Sequence, residues 1–191
     1  ANQSLCNTSV FTLGATVPVV GAGQWSYVSG AAVTITNINS ATTTVTGLTA
    51  GNSVTLRWTV SNGPVCAATT SDVTLTNDVL PVADAGTGGN VCGIGVANSF
   101  VLSAVPTVGV GTWSKFSGPG TETFTNANLS SSGVSVDAYG SYVFRWTEVN
   151  GVCSSFDDVT VVFWEAPSAS VAGANQSLCN TSVFTLGATV P

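Results

Sequence analysis

Residues 1–18 read ANQSLCNTSVFTLGATVP, and residues 174–191 repeat them without a single change. The identity makes Cys179 the equivalent of Cys6, one full period farther along the chain. A fixed period constrains the fold more than any local pattern does, because each repeat must be a structural unit that packs mainly on its neighbours. We therefore expect an array of similar units rather than one large core.

The period divides again into two halves of nearly equal length. GAGQWS is matched by GVGTWS, LRWTVSNGPVC by FRWTEVNGVC, and SDVTLT by DDVTVV. The sequence therefore predicts two related but diverged modules, module A at residues 1–86 and module B at residues 87–173. Residues 174–191 are then the first strands of the next copy of module A.

Each module has the pattern of an all-β fold. In SVTLRWTV, the residues Val54, Leu56, Trp58 and Val60 alternate with polar ones, as in a strand with one buried face. Other short runs rich in Val and Thr are separated by Gly, Asn and Pro clusters. About seven strands in a module of this length predict tandem immunoglobulin-like β-sandwiches.

The composition excludes several classes of partner. Only 6% of the residues are charged, whereas ordinary globular proteins have roughly 25%. With no His, three cations and a net charge of -6, the chain lacks the basic surface that binds nucleic acid. No apolar run approaches the roughly 20 residues that cross a membrane as a helix. Because there is no Met and no signal peptide, we expect a fragment or processed piece of a longer protein.

The five cysteines follow the repeat. The spacing from Cys6 to Cys66 in module A differs by a single position from the spacing between Cys92 and Cys153 in module B. The sequence therefore predicts one disulfide within each module, with the partner of Cys179 in the next repeat. Metal binding is the alternative, but the sequence contains neither a Cys-x-x-Cys pair nor a His to support it. Disulfides would place the protein in an oxidising, extracellular setting.

The motifs ADAGTGGNVC, GVGTWS, SYVFRWTEVNGVC and DDVTV resemble the PKD-like and Ig-like tandem modules of giant Bacteroidetes surface proteins, including adhesins associated with gliding motility. The resemblance covers both modules, and module A departs from it by one extra residue in NGPVC. It implies export through the outer membrane, often by the type IX system, and a place in a long cell-surface fibre. Such motifs identify a module type better than an activity.

Catalysis and metal binding find little support in these residues. Without His, neither a Ser-His-Asp nor a Cys-His arrangement can form, and the neighbours Asp157 and Asp158 would face opposite sides of a strand. We predict no enzyme and no cofactor. Calcium at the module junctions is the remaining metal hypothesis, through Asp72, Asp78 and Asp84, but the Asp-x-Asp-x-Asp-Gly loop is absent.

Two further sets of residues allow a structural and a functional interpretation. Arg57 and Arg145 are expected to form cross-strand ion pairs with Asp72 and Asp158 rather than to contact a ligand. Four tryptophans are expected in the cores rather than on a sugar-binding surface, namely Trp25, Trp58, Trp113 and Trp146. Trp164 is expected at the junction to the next module or in a contact between fibres.

The sequence thus favours a structural or adhesive repeat of an extracellular fibre attached to the outer membrane. The expected partners are neighbouring repeats of the same chain, parallel copies of the fibre and surface glycans. A carbohydrate-binding module or a spacer in a secreted polysaccharide-active protein is the alternative. Short junctions with one Pro each predict a semi-rigid rod. Polymerisation by strand donation through residues 174–191 is an alternative to a continuous polypeptide.

Overall fold

The computed structural model describes residues 1–180 and 183–188, and its regular structure there is almost entirely β-strand. Module A has seven strands: β1 (Gln3–Cys6), β2 (Val10–Gly14), β3 (Ala22–Gly30), β4 (Thr34–Ile35), β5 (Thr42–Thr46), β6 (Asn52–Ser61) and β7 (Thr69–Asp78). Module B has seven more: β8 (Gly89–Cys92), β9 (Phe100–Ser103), β10 (Val110–Ser117), β11 (Glu122–Phe124), β12 (Ser131–Val136), β13 (Gly140–Asn150) and β14 (Cys153–Trp164). A 3-10 turn, Val96–Asn98, follows β8. The predicted all-β fold is confirmed.

The two modules share one topology. In module A a four-stranded sheet has the order β1-β7-β6-β3 and a three-stranded sheet the order β2-β5-β4. Module B repeats this as β8-β14-β13-β10 and β9-β12-β11. Among the strands of the described residues, β1 runs parallel to β7 and β8 runs parallel to β14, whereas the other neighbours are antiparallel. The first strand of each module therefore ends beside the end of its last strand.

Each module has its own hydrophobic core between its two sheets. The central strands β6 and β13 alternate buried and partly exposed residues, as their period-two sequence predicts. The largest residues of the module A core are Phe11, Leu13, Trp25, Leu48, Leu56, Trp58 and Leu75. Those of the module B core are Leu102, Trp113, Tyr142, Phe144, Trp146 and Phe163.

A pair of tryptophans in contact occupies each core and explains the Gly-x-Gly-x-Trp motif. The ring centroids of Trp25 and Trp58 lie 5.1 Å apart, and those of the equivalent module B pair lie 5.2 Å apart. A Cβ atom at Gly23 would overlap the Trp58 ring. Only glycine leaves room there for the indole to lie against the neighbouring strand.

Residues 174–180 and 183–188 carry the repeated sequence but contain no strand. Their local contacts nevertheless copy those at the start of module A. Gln176 Nε2 donates to the Thr185 carbonyl at 2.6 Å, as Gln3 Nε2 donates to the Thr12 carbonyl at 2.9 Å. Residues 181–182 and 189–191 of the predicted next copy lie outside the described residues. Across the described part of the chain, no helix is long and apolar enough to cross a membrane.

Candidate functional site

The junction between the modules brings together Cys6, Cys153 and Asp78, three of the residues that the sequence singled out. We call the end of a module where the chain enters its N-terminal pole and the end where it leaves its C-terminal pole. Because β1 is parallel to β7, Cys6 lies at the C-terminal pole of module A, in register with Asp78. Cys153 opens β14 at the N-terminal pole of module B. The two poles face each other.

A disulfide joins the two modules at this point. Cys6 is bonded to Cys153, with their Cα atoms 5.0 Å apart and a sequence separation of 147. Among the described residues, Cys66, Cys92 and Cys179 are free and exposed. The predicted pairs Cys6–Cys66 and Cys92–Cys153 are therefore wrong.

The physical reason is the direction of the first strand in each module. Cys6 lies at one end of β7, and Cys66 lies just beyond the other end. The 10 residues of β7 therefore separate the two cysteines, and a strand of this length spans about 30 Å. A disulfide requires Cα atoms within about 7 Å. In module B, Cys153 is the first residue of β14, and Cys92 is in register with Trp164, the last. The 12 residues of β14 therefore keep these two cysteines at least as far apart.

Asp78 fixes the two poles against each other beside this disulfide. Its Oδ2 accepts hydrogen bonds from the Ser4 hydroxyl at 2.6 Å and from the Val152 backbone N–H at 3.0 Å. These bonds, led by the one from Ser4, hold the pKa of Asp78 below its ordinary value. A Cβ atom at Gly151 would overlap the Asp78 carboxylate, and Gly151 has a φ of 58°. Glycine is therefore required in the Asn-Gly turn.

The linker between the modules is hydrogen-bonded along its length. Asn150 Nδ2 donates to the Val79 carbonyl at 2.9 Å. Farther along, the backbone N–H groups of Ala83 and Ala85 donate to Ser155 Oγ and Asp157 Oδ2, both at 2.9 Å. Ala85 is wholly buried in the core of module B, although the repeat assigns it to module A. These bonds and the burial of Ala85 hold the linker against module B.

Glu148 is a buried carboxylate at the same pole of module B, with 1% of its surface exposed. It accepts hydrogen bonds from Trp146 Nε1 at 2.9 Å, from the Thr107 hydroxyl at 2.7 Å and from the backbone N–H groups of Thr107 and Val108. Burial raises the pKa of Glu148, but these bonds together lower it below its ordinary value. The carboxylate clamps the loop at residues 105–109 onto the sheet.

Module A has Val60 where module B has Glu148. As a result, Trp58 Nε1 is buried without a hydrogen-bond partner among the described residues. The corresponding loop carries Val19 in place of Thr107, and Val19 is fully exposed. The two modules therefore share a fold but differ in how this loop is held.

Both predicted ion pairs are present in the structure. Arg57 Nε and Nη2 donate to the two Asp72 oxygens at 2.7 and 2.8 Å. Arg145 makes the same contacts to Asp158, both at 2.8 Å. The hydrogen bond from each arginine is the main reason that the pKa of its aspartate lies below the ordinary value.

In module B the ion pair also has an aromatic setting. The Arg145 guanidinium stacks between Phe116 and Phe156, at 4.1 and 3.7 Å from the ring centroids. The rings themselves are more than half exposed. The two rings and Asp158 thus contact the guanidinium of Arg145 at the same time.

The four predicted core tryptophans are buried, with at most 6% of their surface exposed. Trp164 lies at the C-terminal pole of module B, is 59% exposed, and donates from Nε1 to Asn90 Oδ1 at 2.8 Å. It occupies the position that Asp78 has in module A.

The aspartates considered for calcium have protein partners. Besides Asp72 and Asp78, Asp84 accepts a hydrogen bond from the Gly86 N–H at 2.8 Å. Over residues 1–180 and 183–188, no cluster of three or more His, Cys, Asp or Glu side chains could hold a metal ion.

Sequence reasoning missed Glu148 and the joining role of Asp78. For Glu148 a signal was present, because it continues the buried phase of β13 after Tyr142, Phe144 and Trp146. A lone carboxylate in that phase indicates a buried acceptor with several donors. For Asp78 no sequence pattern points to the partner module.

No protein-family model and no curated protein matches the chain. The structure is similar to extracellular domains 3–5 of Drosophila OTK, with a TM-score of 0.57, 12% identity, and coverage of 85% of this chain and 59% of that one. It is also similar to the I-band fragment I67–I69 of titin, with a TM-score of 0.49, 13% identity, and coverage of 86% of this chain and 63% of the fragment. Fibronectin(III)-like modules of Clostridium thermocellum CbhA give a TM-score of 0.46 at 12% identity over 86% of this chain and 90% of theirs. The likeness to the OTK domains, together with the two sheets of each module, shows the fold of immunoglobulin-like β-sandwich domains.

Proposed function

We propose that this chain is a load-bearing structural repeat of a long extracellular surface fibre. The observation that supports this most directly is the disulfide between Cys6 and Cys153, which joins one sandwich to the next rather than closing a loop within one. Disulfides persist in oxidising, extracellular compartments. The resemblance of the motifs to modules of Bacteroidetes surface adhesins supports the same placement.

The disulfide shortens the covalent path that tension follows. Force applied at the two ends passes from Cys6 directly to Cys153, so the loop between them, with its sequence separation of 147, carries no covalent load. Because Cys179 is the repeat equivalent of Cys6, only the short stretch from Cys153 to Cys179 carries the load to the next such position. Fully extended, that stretch spans about 90 Å, whereas the bypassed loop would add about 500 Å. An array of such units resists extension even when a sandwich unfolds.

Stretching single molecules of the full chain between handles at its two ends tests this function. In the oxidised protein, we expect the bypassed loop to stay hidden at any force that leaves the disulfide intact. Reduction should add about 500 Å of contour length. Cys153→Ser should show the long extension without reductant, whereas Cys66→Ser, at an exposed free thiol, should behave like the parent. Equal contour lengths before and after reduction would refute the load-bearing role.

A carbohydrate-binding role finds less support in this structure. The four core tryptophans are at most 6% exposed, so most of each ring is unavailable for stacking on a sugar. We propose accordingly that these four tryptophans are structural, and that adhesion to a target depends on other parts of the protein. A spacer in a secreted polysaccharide-active protein would use the same mechanical properties.

A further inference from the structure

We propose that successive copies of the AB unit are joined by a second disulfide, between Cys92 of one copy and Cys66 of the next. The inference rests on the proposed function, in which the unit repeats along one polypeptide. It makes every junction of the array, A to B and B to A, a disulfide-linked junction of the same geometry.

Cys92 and Cys66 occupy the same positions in their modules as the two bonded cysteines. Cys92 ends β8 in register with Trp164, as Cys6 ends β1 in register with Asp78. Cys92 therefore lies at the C-terminal pole of module B. Cys66 lies in the turn between β6 and β7, as Cys153 follows the turn between β13 and β14. Cys92 and Cys66 are thus equivalent to the two cysteines that are bonded at the A-to-B junction.

An open cleft lies at the N-terminal pole of module A, where a preceding module would join it. Its volume is about 500 Å³. Its walls include Leu13, Ala15, Trp25, Trp58 and Ser71. In module B, the equivalents of the first four residues belong to the same buried core as Ala85, namely Leu102, Ala104, Trp113 and Trp146. The equivalent of Ser71 is Asp157, which accepts the Ala85 N–H.

The repeat identifies what fits this cleft. Residues 83–86 read ADAG, and residues 170–173 at the end of module B read SVAG. Ala172 is therefore the equivalent of Ala85. The linker that leaves module B has the small side chain needed to enter the cleft of the following module A, as residues 83–86 enter module B.

Apolar side chains are exposed on the N-terminal pole of module A and on the C-terminal pole of module B. Every residue from 61 to 70 is exposed in module A, including Val65 at 93%. The opposite pole exposes Trp164 at 59% and Val96 at 86%. At the A-to-B junction Asp78 forms polar contacts, and Trp164 has the equivalent position at the B-to-A junction. Trp164 would therefore make that junction apolar, and Val65 in the longer NGPVC turn is the apolar surface that it would contact.

Formation of this bond requires an oxidant of the disulfide class. The two thiols of Cys92 and Cys66 lose two protons and two electrons, and one S–S bond forms. Oxidised glutathione accepts them, its own S–S bond breaks, and two molecules of reduced glutathione leave. The same exchange forms the bond between Cys6 and Cys153.

A tandem chain of two full periods, the present chain followed by a second pass through residues 19–173, tests the inference. It is refolded in a glutathione redox buffer, its free thiols are alkylated, and it is digested with trypsin without reduction. The Cys92–Cys66 bond links the peptide 58–115 of one copy to the same peptide of the other. We expect this disulfide dimer of peptide 58–115 and two alkylated cysteines, Cys66 of the first copy and Cys92 of the second.

Matched variants assign the bond. Cys66→Ser in the second copy should abolish the peptide dimer, whereas Cys66→Ser in the first copy should retain it with one serine-marked half. If both copies form the Cys6–Cys153 type of bond but no peptide dimer appears, the inference is overturned while the array stands. If the peptide dimer is absent and Cys179 is not bonded to the second-copy equivalent of Cys153, the proposed array itself is overturned.

Discussion

Replacing Glu148 by valine gives module B the residue that module A carries at the same position, Val60. In the native protein four donor groups converge on this carboxylate: the Trp146 indole N–H, the Thr107 hydroxyl, and the N–H groups of Thr107 and Val108. Valine accepts no hydrogen bond. The substitution therefore leaves several donors unpaired at a position that is 1% exposed.

The expected loss of stability depends on whether each of these donors can find another hydrogen-bond acceptor after the substitution. A buried donor without an acceptor costs about 1–3 kcal/mol. The loop with Thr107 can open so that its groups bond to water, as the exposed loop at Val19 indicates for module A. Trp146 Nε1 cannot, because its ring is held in the core. We expect Glu148→Val to lower the free energy of unfolding by about 2–3 kcal/mol at pH 7.

Urea unfolding of the full chain, followed by tryptophan fluorescence, measures this difference. Glu165→Val is the matched control, because it makes the same chemical change at an exposed linker position and should shift stability by less than about 0.5 kcal/mol. A loss below about 0.5 kcal/mol in Glu148→Val, or a gain, would refute the reasoning, because it would mean that the buried carboxylate contributes nothing net.

The pH dependence supplies an independent check with a definite sign. Because the pKa of Glu148 is lowered in the folded state, its contribution is present above the unfolded pKa of about 4.3 and is lost as the pH falls through the folded value. The difference between native protein and Glu148→Val should therefore be constant near neutral pH and shrink below about pH 4. A difference that grows on acidification would contradict the assignment.

Three further predictions follow from the fold. Digestion of the unreduced chain with trypsin should yield residues 1–57 linked to residues 146–191, and a link from either peptide to residues 58–115 would restore the intramodule pairing. Cys153→Ser should lower the free energy of unfolding by about 5 kcal/mol, because a loop with a sequence separation of 147 is no longer closed. Urea titration of the parent and the variant, each with and without reductant, measures this loss. Equal unfolding midpoints of the parent and the variant without reductant would contradict the prediction. Gly111→Ala should destabilise module B by about 1–3 kcal/mol, because its Cβ atom overlaps the Trp146 ring, whereas Gly187→Ala, with open space around it, is the control.

Much of the architecture could be predicted because its causes are local in sequence. The period-two alternation in β6 and β13 places Trp58 and Trp146 in the cores whatever the rest of the chain does. The two-residue turn between β13 and β14 also brings Arg145 opposite Asp158, since so short a turn sets the register. The repeat then transfers each inference from one module to the other.

The disulfide pairing depended on tertiary structure because it is set by the direction of one short strand. The spacing between Cys6 and Cys66 in sequence is the same whether β1 runs parallel or antiparallel to β7. Only the parallel arrangement takes Cys6 to the far pole, beyond reach of Cys66 and next to Cys153. No propensity or periodicity in so short a strand encodes that direction.

The sequence by itself determined the all-β class and the burial of Trp58 and Trp146, because burial along a strand alternates with a period that neighbouring residues specify. The tertiary structure alone decided which poles meet and which groups they bring together: the disulfide between Cys6 and Cys153, the bond from Val152 to Asp78, and the donors of the Thr107 loop around Glu148. These contacts join groups far apart in the chain, with separations from 40 to 147 positions, and their pairing depends on the relative placement of whole strands and modules.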